Sequence, residues 1–264
     1  MPRWLTNLLT LLITLAIPPF LVISNVFLFM TPQWLDFQYS QPGFPKSVRF
    51  GDVERRYNAV ESIEYVRGNR TLEQFKALGV YDAREIKHMV DVRELVDRVR
   101  VVWIVLGMLL VVAIGVDLTG FQKPVRSGVG IDLTGLGKSF GKLRAGSVRP
   151  YSGAAAVDLT GFQKPVRSGF AARGLLGGAA LTIALFVALG VFAAVGFQAF
   201  FTLFHRVFFA GDTWLFNYTD SLIQFYPLPF WFNTSLVLVG VTVVEAVVIG
   251  AVGWWWQRRM NAEV

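Results

Sequence analysis

The sequence predicts an all-α membrane protein: four transmembrane helices with a small helical extracytoplasmic domain between helices 1 and 2. Hydrophobic residues make up 54% of the 264 residues and charged residues only 16%, far from the balance of a water-soluble globule. Four apolar runs, about Trp4 to Met30, Val101 to Val116, Leu175 to Phe204 and Leu236 to Trp256, suit the roughly 20 residues a spanning helix needs, or fewer where charged ends snorkel. The charged stretch after the first run repeats its apolar residues at helical steps.

Residues 1–30 form the first transmembrane helix. The run follows a basic start, MPR, but is too long for a signal-peptide core and lacks a small-residue cleavage site, so it reads as a retained anchor, bent near Pro18 and Pro19. Residues 31–100 form the extracytoplasmic domain. It opens on TPQWLDFQYSQPGFP, an irregular loop with no assigned element, whose Trp34, Phe37, Tyr39 and Phe44 belong at the headgroup level or against the following helices. VERRYNAVESIEYVRG then reads as a helix from Val53, closed by Gly68. A shorter helix, TLEQFKALG, has Thr71 as its cap and Gly79 as its stop. A third begins at Asp82, where Asp82 and Glu85 have capping-box spacing. No Pro or Gly interrupts residues 83–106, so this helix is expected to run directly into the second span, residues 101–116.

Residues 117–173 are expected to be a cytoplasmic loop. VDLTGFQKPVRSG occurs twice there without a change, at Val116–Gly128 and Val157–Gly169, with a weaker echo, IDLTGLGKSFG, between them. Stacked repeat folds have periods of roughly 20–50 residues and a shared apolar face; these units are short, basic and glycine-rich. They read as an inserted loop that arose by duplication of coding DNA, with a basic surface for anionic lipid headgroups as the functional alternative. GLGKS is not a phosphate-binding loop, because Asp132 stands where the first glycine is required.

The net charge of +7 does not imply a nucleic-acid partner once its distribution is read. Residues 117–173 hold nine Lys/Arg against three Asp, and Arg3, Arg258 and Arg259 add to the same side. Positive-inside placement puts both termini and this loop in the cytoplasm. Residues 31–100, with twelve Lys/Arg and eleven Asp/Glu, fall outside. The remaining divisions are 174–209, the third transmembrane helix with an outer extension; 210–235, an extracytoplasmic loop; and 236–264, the fourth helix and a cytoplasmic tail. Gly178, Gly190 and Gly196 suit close helix packing. Glu245, near the middle of the fourth span, is either functional or a protonated carboxyl bonded to a neighbour such as Asn7, Asn25 or Thr182. The chain has no cysteine, which excludes disulfides, thiol nucleophiles and thiolate metal sites.

The chain contains two histidines. His88 lies in REIKHMVDVREL, with Glu85 and Asp91 at three-residue steps on one helix edge, where a carboxylate can fix the imidazole tautomer. His205 lies in FFTLFHRVFFAGDTWLF, beside Arg206 in an aromatic collar, with Asp212, Trp214, Tyr218, Asp220 and Tyr226 following. If the helix through His88 runs straight to Val116 and the third span runs straight from Leu175, the two imidazoles stand about 42 Å and about 45 Å above the cytoplasmic surface. That is the level of the outer headgroups or just above them, given a hydrocarbon core of about 30 Å. A meeting there would make a proton-transfer site at a lipid interface. A metal site on the two histidines and a carboxylate lacks any dense ligand motif, so neither a metal nor a cofactor is expected.

REIKHMVDV, FHRVFFAGDTWLF and LIQFYPLPFW together resemble the bacterial integral membrane proteins that include the lipoprotein intramolecular transacylases. The resemblance covers the four spans and the outer domain; the repeated insert departs from it. It implies migration of an acyl chain from the sn-2 ester of a lipoprotein's diacylglyceryl-cysteine to the α-amino group of that cysteine, giving a lyso-form lipoprotein, in a bacterial cytoplasmic membrane with the site on the extracytoplasmic face. The partners implied are a diacylated lipoprotein and membrane lipids; oligomeric state is left open. Because the substrate supplies its own nucleophile, a base, an acid and help for an oxyanion suffice. On this reading His88, by preference, takes the amine proton while His205 serves the ester, Asp91 or Glu85 orients His88, and Arg206 or Tyr218 assists the oxyanion. The alternatives are a non-catalytic lipid-binding protein, or a small transporter in which Glu245 handles a proton.

Overall fold

The structure is a computed structural model that describes residues 1–119 and 169–262. Its described residues form α1 (Arg3–Phe29), α2 (Pro32–Tyr39), α3 (Asp52–Arg67), α4 (Leu72–Lys76), α5 (Ala83–Thr119), α6 (Phe170–Val195), α7 (Phe197–Phe208), α8 (Ser221–Phe225) and α9 (Leu228–Ala262). Four of these, α1, α5, α6 and α9, are long and apolar enough to cross a membrane. The duplicated VDLTGFQKPVRSG units, apart from Val116–Thr119 and Gly169, and the GLGKS segment lie outside the described residues, as does most of the 117–173 loop.

Small residues set how closely the spans pack. A Cβ on Gly174 would lie 2.7 Å from Ile13, and one on Gly178 would lie 2.5 Å from Ile17, so α6 meets α1 backbone to side chain. A Cβ on Gly190 would reach Val239 of α9 at 2.9 Å. Ile13, Ile17, Leu21, Leu110, Ala113, Phe170 and Ala246 form the buried centre of this bundle. In the same interior Asn25 donates its amide to Thr242 Oγ1 at 3.0 Å and to Glu245 Oε2 at 2.7 Å, tying α1 to α9. Of the three neighbours expected for Glu245, Asn25 is the one that meets it. At the end of the bundle away from the charged half of α5, Asp117 Oδ2 accepts the Ala171 amide at 3.3 Å, which holds the end of α5 against the start of α6.

Beyond the apolar stretch of α5, a second core gathers Leu35, Ala59, Ile63, Tyr65, Val66, Phe75, Met89 and Val96 with Leu222, Phe225, Tyr226 and Phe230. Local capping shapes its helices. Gly68 ends α3 with φ +101°, a left-handed conformation that glycine adopts without a Cβ clash. Thr71 and Gln74 form a full capping box on α4, and Gly79 follows with φ +68°. Asp82 and Glu85 cap α5 reciprocally: Asp82 Oδ1 accepts from the Glu85 amide at 2.7 Å, and Glu85 Oε2 accepts from the Asp82 amide at 2.9 Å. α5 then continues without a break from the charged domain into the bundle.

Two sequence expectations change. The TPQWLDFQY stretch is not an irregular loop but a short helix, started by Thr31, whose hydroxyl accepts from the Trp34 amide, and by Pro32 at the first turn. The third span does not run unbroken to Phe204: the helix is interrupted at Gly196 (φ −139°, ψ 56°), and α7 starts after it.

Candidate functional site

The imidazoles of His88 and His205 do come together, their ring centroids 6.1 Å apart and their planes within 28°. α5 presents His88 from its charged N-terminal half; α7 presents His205, which is the buried residue of that helix. Both rings are closed off, with 8% exposure at His88 and 9% at His205.

The cover is aromatic and comes largely from the segment after α7. Phe209 lies 5.0 Å from the His88 ring and 5.6 Å from that of His205. Trp214 stacks on His205 at 5.0 Å, its indole N–H donated to the Gly211 carbonyl. Phe216 stands edge-on to His88 at 5.3 Å, and its own ring is covered by the guanidinium of Arg84 at 5.4 Å. Arg84 also pairs with Asp220 at 2.7 Å, and the same Asp220 oxygen accepts from the Asn217 amide, so the covering segment is fastened to the first turn of α5. A crevice of about 280 Å³ lined by Phe27, Met30, Arg67, Asn69 and Arg100 involves none of these residues.

The electrostatics follow from the cover. Burial drives the His88 imidazole down from about 6.5 to about 4, and the neighbouring His205 pushes in the same direction. His205 is lowered by burial too, offset in part by its hydrogen bond to the Phe201 carbonyl. That carbonyl lies 2.8 Å from His205 Nδ1. A carbonyl only accepts, so Nδ1 carries the hydrogen and Nε2 keeps a lone pair. His88 Nδ1, by contrast, is buried without a hydrogen-bond partner among the described residues, an exception consistent with a group that meets a ligand.

The supporting residues are distributed differently from the pattern expected. Glu85 is 2% exposed, but its oxygens accept from the backbone amides of Asp82 and Leu222 (2.8 Å) and not from His88. It clasps α5 to α8, and burial holds its carboxyl above the usual range in spite of those two amides. Asp91 accepts from the Thr213 hydroxyl at 3.5 Å, one residue before Trp214. Arg206, Asp212 and Tyr218 are exposed, and among the described residues none of their side chains bonds to either imidazole. Phe209, Phe216 and the Phe201 carbonyl were not anticipated. The aromatic density of FFTLFHRVFFAGDTWLF signals a collar, but the assignment of each ring to one imidazole needs the fold. Among the described residues no three His, Cys, Asp or Glu side chains gather as metal ligands.

With a buried pair of neutral imidazoles set beyond a four-span bundle, comparison with known proteins is specific. The family model of the lipoprotein intramolecular transacylase Lit matches residues 8–127 and 165–231. Among solved structures, the chain is similar to the lipoprotein intramolecular transacylase Lit from Bacillus cereus, at a TM-score of 0.62 and 17% identity over 98% of this chain and 97% of that one. A variant of that protein with a histidine-to-arginine substitution matches at the same TM-score, 0.62. An uncharacterized protein from Aquifex aeolicus is 34% identical over 68 residues, 24% of this chain, and the match spans about a third (32%) of that relative's length. The chain belongs to the lipoprotein intramolecular transacylase (Lit) family.

Proposed function

We propose that this chain catalyses the intramolecular acyl shift of its family, moving the sn-2 acyl group of a diacylglyceryl-cysteine to the α-amine of the same cysteine. The observation that carries the reading is the pair of buried, neutral imidazoles 6.1 Å apart, on helices that continue from membrane spans. The amine nitrogen attacks the sn-2 carbonyl carbon. A C–N bond forms, the C–O bond to glycerol breaks, one proton leaves the nitrogen, and one reaches the glycerol oxygen. No side-chain nucleophile is required.

The hydrogen-bond pattern favours His205 as the base. Its Nδ1–H is committed to Phe201, which leaves Nε2 to take the amine proton and helps the ring carry the charge until the proton passes to the glycerol oxygen. His88, held neutral, suits the role of hydrogen-bond donor to the developing oxyanion. This reverses the preference the sequence suggested. Glu85 acts at one remove, by clasping α5 to α8, and Asp91 through Thr213. The exposed Arg206 and Tyr218 remain available to substrate.

The same proposal places the imidazoles on the extracytoplasmic side of a bacterial cytoplasmic membrane. Arg3 and Arg258–Arg259 lie at the opposite ends of α1 and α9, where positive-inside placement puts the cytoplasm. The substrate is then a diacylated lipoprotein, presented with its acyl chains in the bilayer. Mass spectrometry of lipoprotein N-termini, from a bacterium lacking its own N-acyltransferase and expressing this chain, tests the reading. Lyso-form N-acyl peptides are expected; unchanged diacylglyceryl peptides, with the protein confirmed in the membrane, would sink it.

A further inference from the structure

α7 exposes an apolar stripe along the side of the helix turned away from the buried face of His205. Leu203 is 53% exposed, Phe204 44%, Val207 67% and Phe208 47%, and their i, i+1, i+4, i+5 spacing gathers them on one side of the helix. Gln198 and Arg206, also exposed, fall on another side. In water such a face would keep four large apolar side chains wet beside a buried pair of imidazoles, an exposure that marks an interaction site.

The geometry identifies what covers it. The clasp between Asp117 and Ala171 sets the inner ends of α5 and α6 level. With both helices upright, a rise of about 1.5 Å per residue lifts His88 about 44 Å above that level and Phe197 about 39 Å. His205 lies beside His88. α7 therefore begins near the level of the outer headgroups, separated from the span of α6 by the break at Gly196. Its start sits at the outer edge of a bilayer whose full thickness is about 40–45 Å. The stripe also continues the lipid-facing surface of α6, where Val187 (49%), Val191 (61%) and Val195 (86%) are exposed in the span itself. An amphipathic helix in this position partitions into the boundary between headgroups and acyl chains.

We propose that α7 is an interfacial helix, with Leu203, Phe204, Val207 and Phe208 embedded in the acyl region of outer-leaflet phospholipids and Gln198 and Arg206 facing water. The imidazole pair is then anchored to the bilayer surface through the helix that carries His205. The inference stands whether or not the acyl shift is the chain's reaction, because it concerns the lipid surface alone.

The chain's lack of cysteine makes the test direct. Single cysteines at Leu203, Val207, Gln198 and Arg206, with Val191 of α6 as the in-span reference, are introduced into the full chain, spin-labelled, and reconstituted in phosphatidylethanolamine/phosphatidylglycerol vesicles. Collision rates with oxygen, which concentrates in lipid, and with a water-soluble nickel chelate are then compared. Labels at Leu203 and Val207 should collide with oxygen several-fold more often than with nickel, as at Val191, and those at Gln198 and Arg206 should show the reverse. Preferential nickel collision at Leu203 and Val207 overturns the proposal. So does shielding from both reagents, which would mean that a second protein chain covers the stripe. Since these side chains are exposed, the substitutions remove no buried packing.

Discussion

His205 donates its Nδ1 proton to the carbonyl of Phe201, one turn earlier in the same helix, at 2.8 Å. This single bond fixes the tautomer and leaves Nε2 with a free lone pair on a ring whose centroid is 6.1 Å from that of His88. If the two rings act together in acyl transfer, His205→Ala and His88→Ala should each lower the rate of lyso-form production by about 10²–10⁴-fold. The double variant should be little worse than the poorer single one, as for groups that work as a unit. The check is quantitative mass spectrometry of lipoprotein N-termini at matched membrane levels; additive losses would separate the two roles.

The depressed imidazoles set a pH dependence. His88 is held at about 4 in the fold against about 6.5 when unfolded. Between those values the unfolded chain binds more protons, so the folded state loses stability as pH falls from about 6.5 toward 4, by up to about 3 kcal/mol, and is unaffected above. Melting temperatures across that window should slope less for His88→Phe than for the parent. Activity should persist below pH 6.5, because burial makes both rings resist protonation in the folded state.

Glu85 is the clasp between α5 and α8. Glu85→Ala leaves the buried amide of Leu222 without its acceptor, which should cost about 1–3 kcal/mol. Glu85→Gln keeps one carbonyl oxygen and should cost less. Thermal unfolding in detergent measures both. An activity loss in Glu85→Gln larger than its stability loss would point to contact with substrate.

Close packing of α6 on α1 depends on Gly178, where a Cβ would lie 2.5 Å from Ile17 Cδ1 and 2.8 Å from its Cβ. Gly178→Ala should destabilise the bundle by about 1–3 kcal/mol. Adding Ile17→Val, which trims the side chain it meets, should recover part of that loss in the same unfolding assay.

Glu245 separates acyl transfer from proton-coupled transport. Its carboxyl is bonded to Asn25 inside the bundle, so Glu245→Gln, which preserves an acceptor for that amide, should leave lyso-form production within about two- to threefold of the parent; intramembrane hydrogen bonds average only about 0.6 kcal/mol. Retained activity in Glu245→Gln together with loss in His88→Ala favours the acyl shift; the opposite pattern favours transport.

The four spans, the charged helices and their caps were legible because each rests on local pattern: an apolar run, a Thr or Asp followed three residues later by Gln or Glu, a glycine at a helix end. α2 was hidden by its aromatic and proline content, although Thr31–Pro32 is a start signal in its own right. The meeting of His88 and His205 could be reasoned from helix lengths, even though the straight path assumed for the third span is broken at Gly196. The fine pattern was not legible. Glu85 looks like a partner for His88 by spacing, yet the amides of Asp82 and Leu222 offer it better hydrogen bonds, and Leu222 is distant in sequence. Phe209 and Phe216 reach His88 only because the segment after α7 folds back over α5.

The clasp between Asp117 and Ala171 brings the chain, after its long excursion, back to where it left. The family match pauses after residue 127 and resumes at 165, so that the match stops within the first copy of VDLTGFQKPVRSG and resumes within the second. Recombination between the copies would excise residues 129–169 in frame and join Gly128 directly to Phe170. The residue before Phe170 would again be glycine, able to take the φ of +66° that Gly169 adopts there. The excursion is thus bounded by interchangeable ends, and a chain without it would retain every described helix.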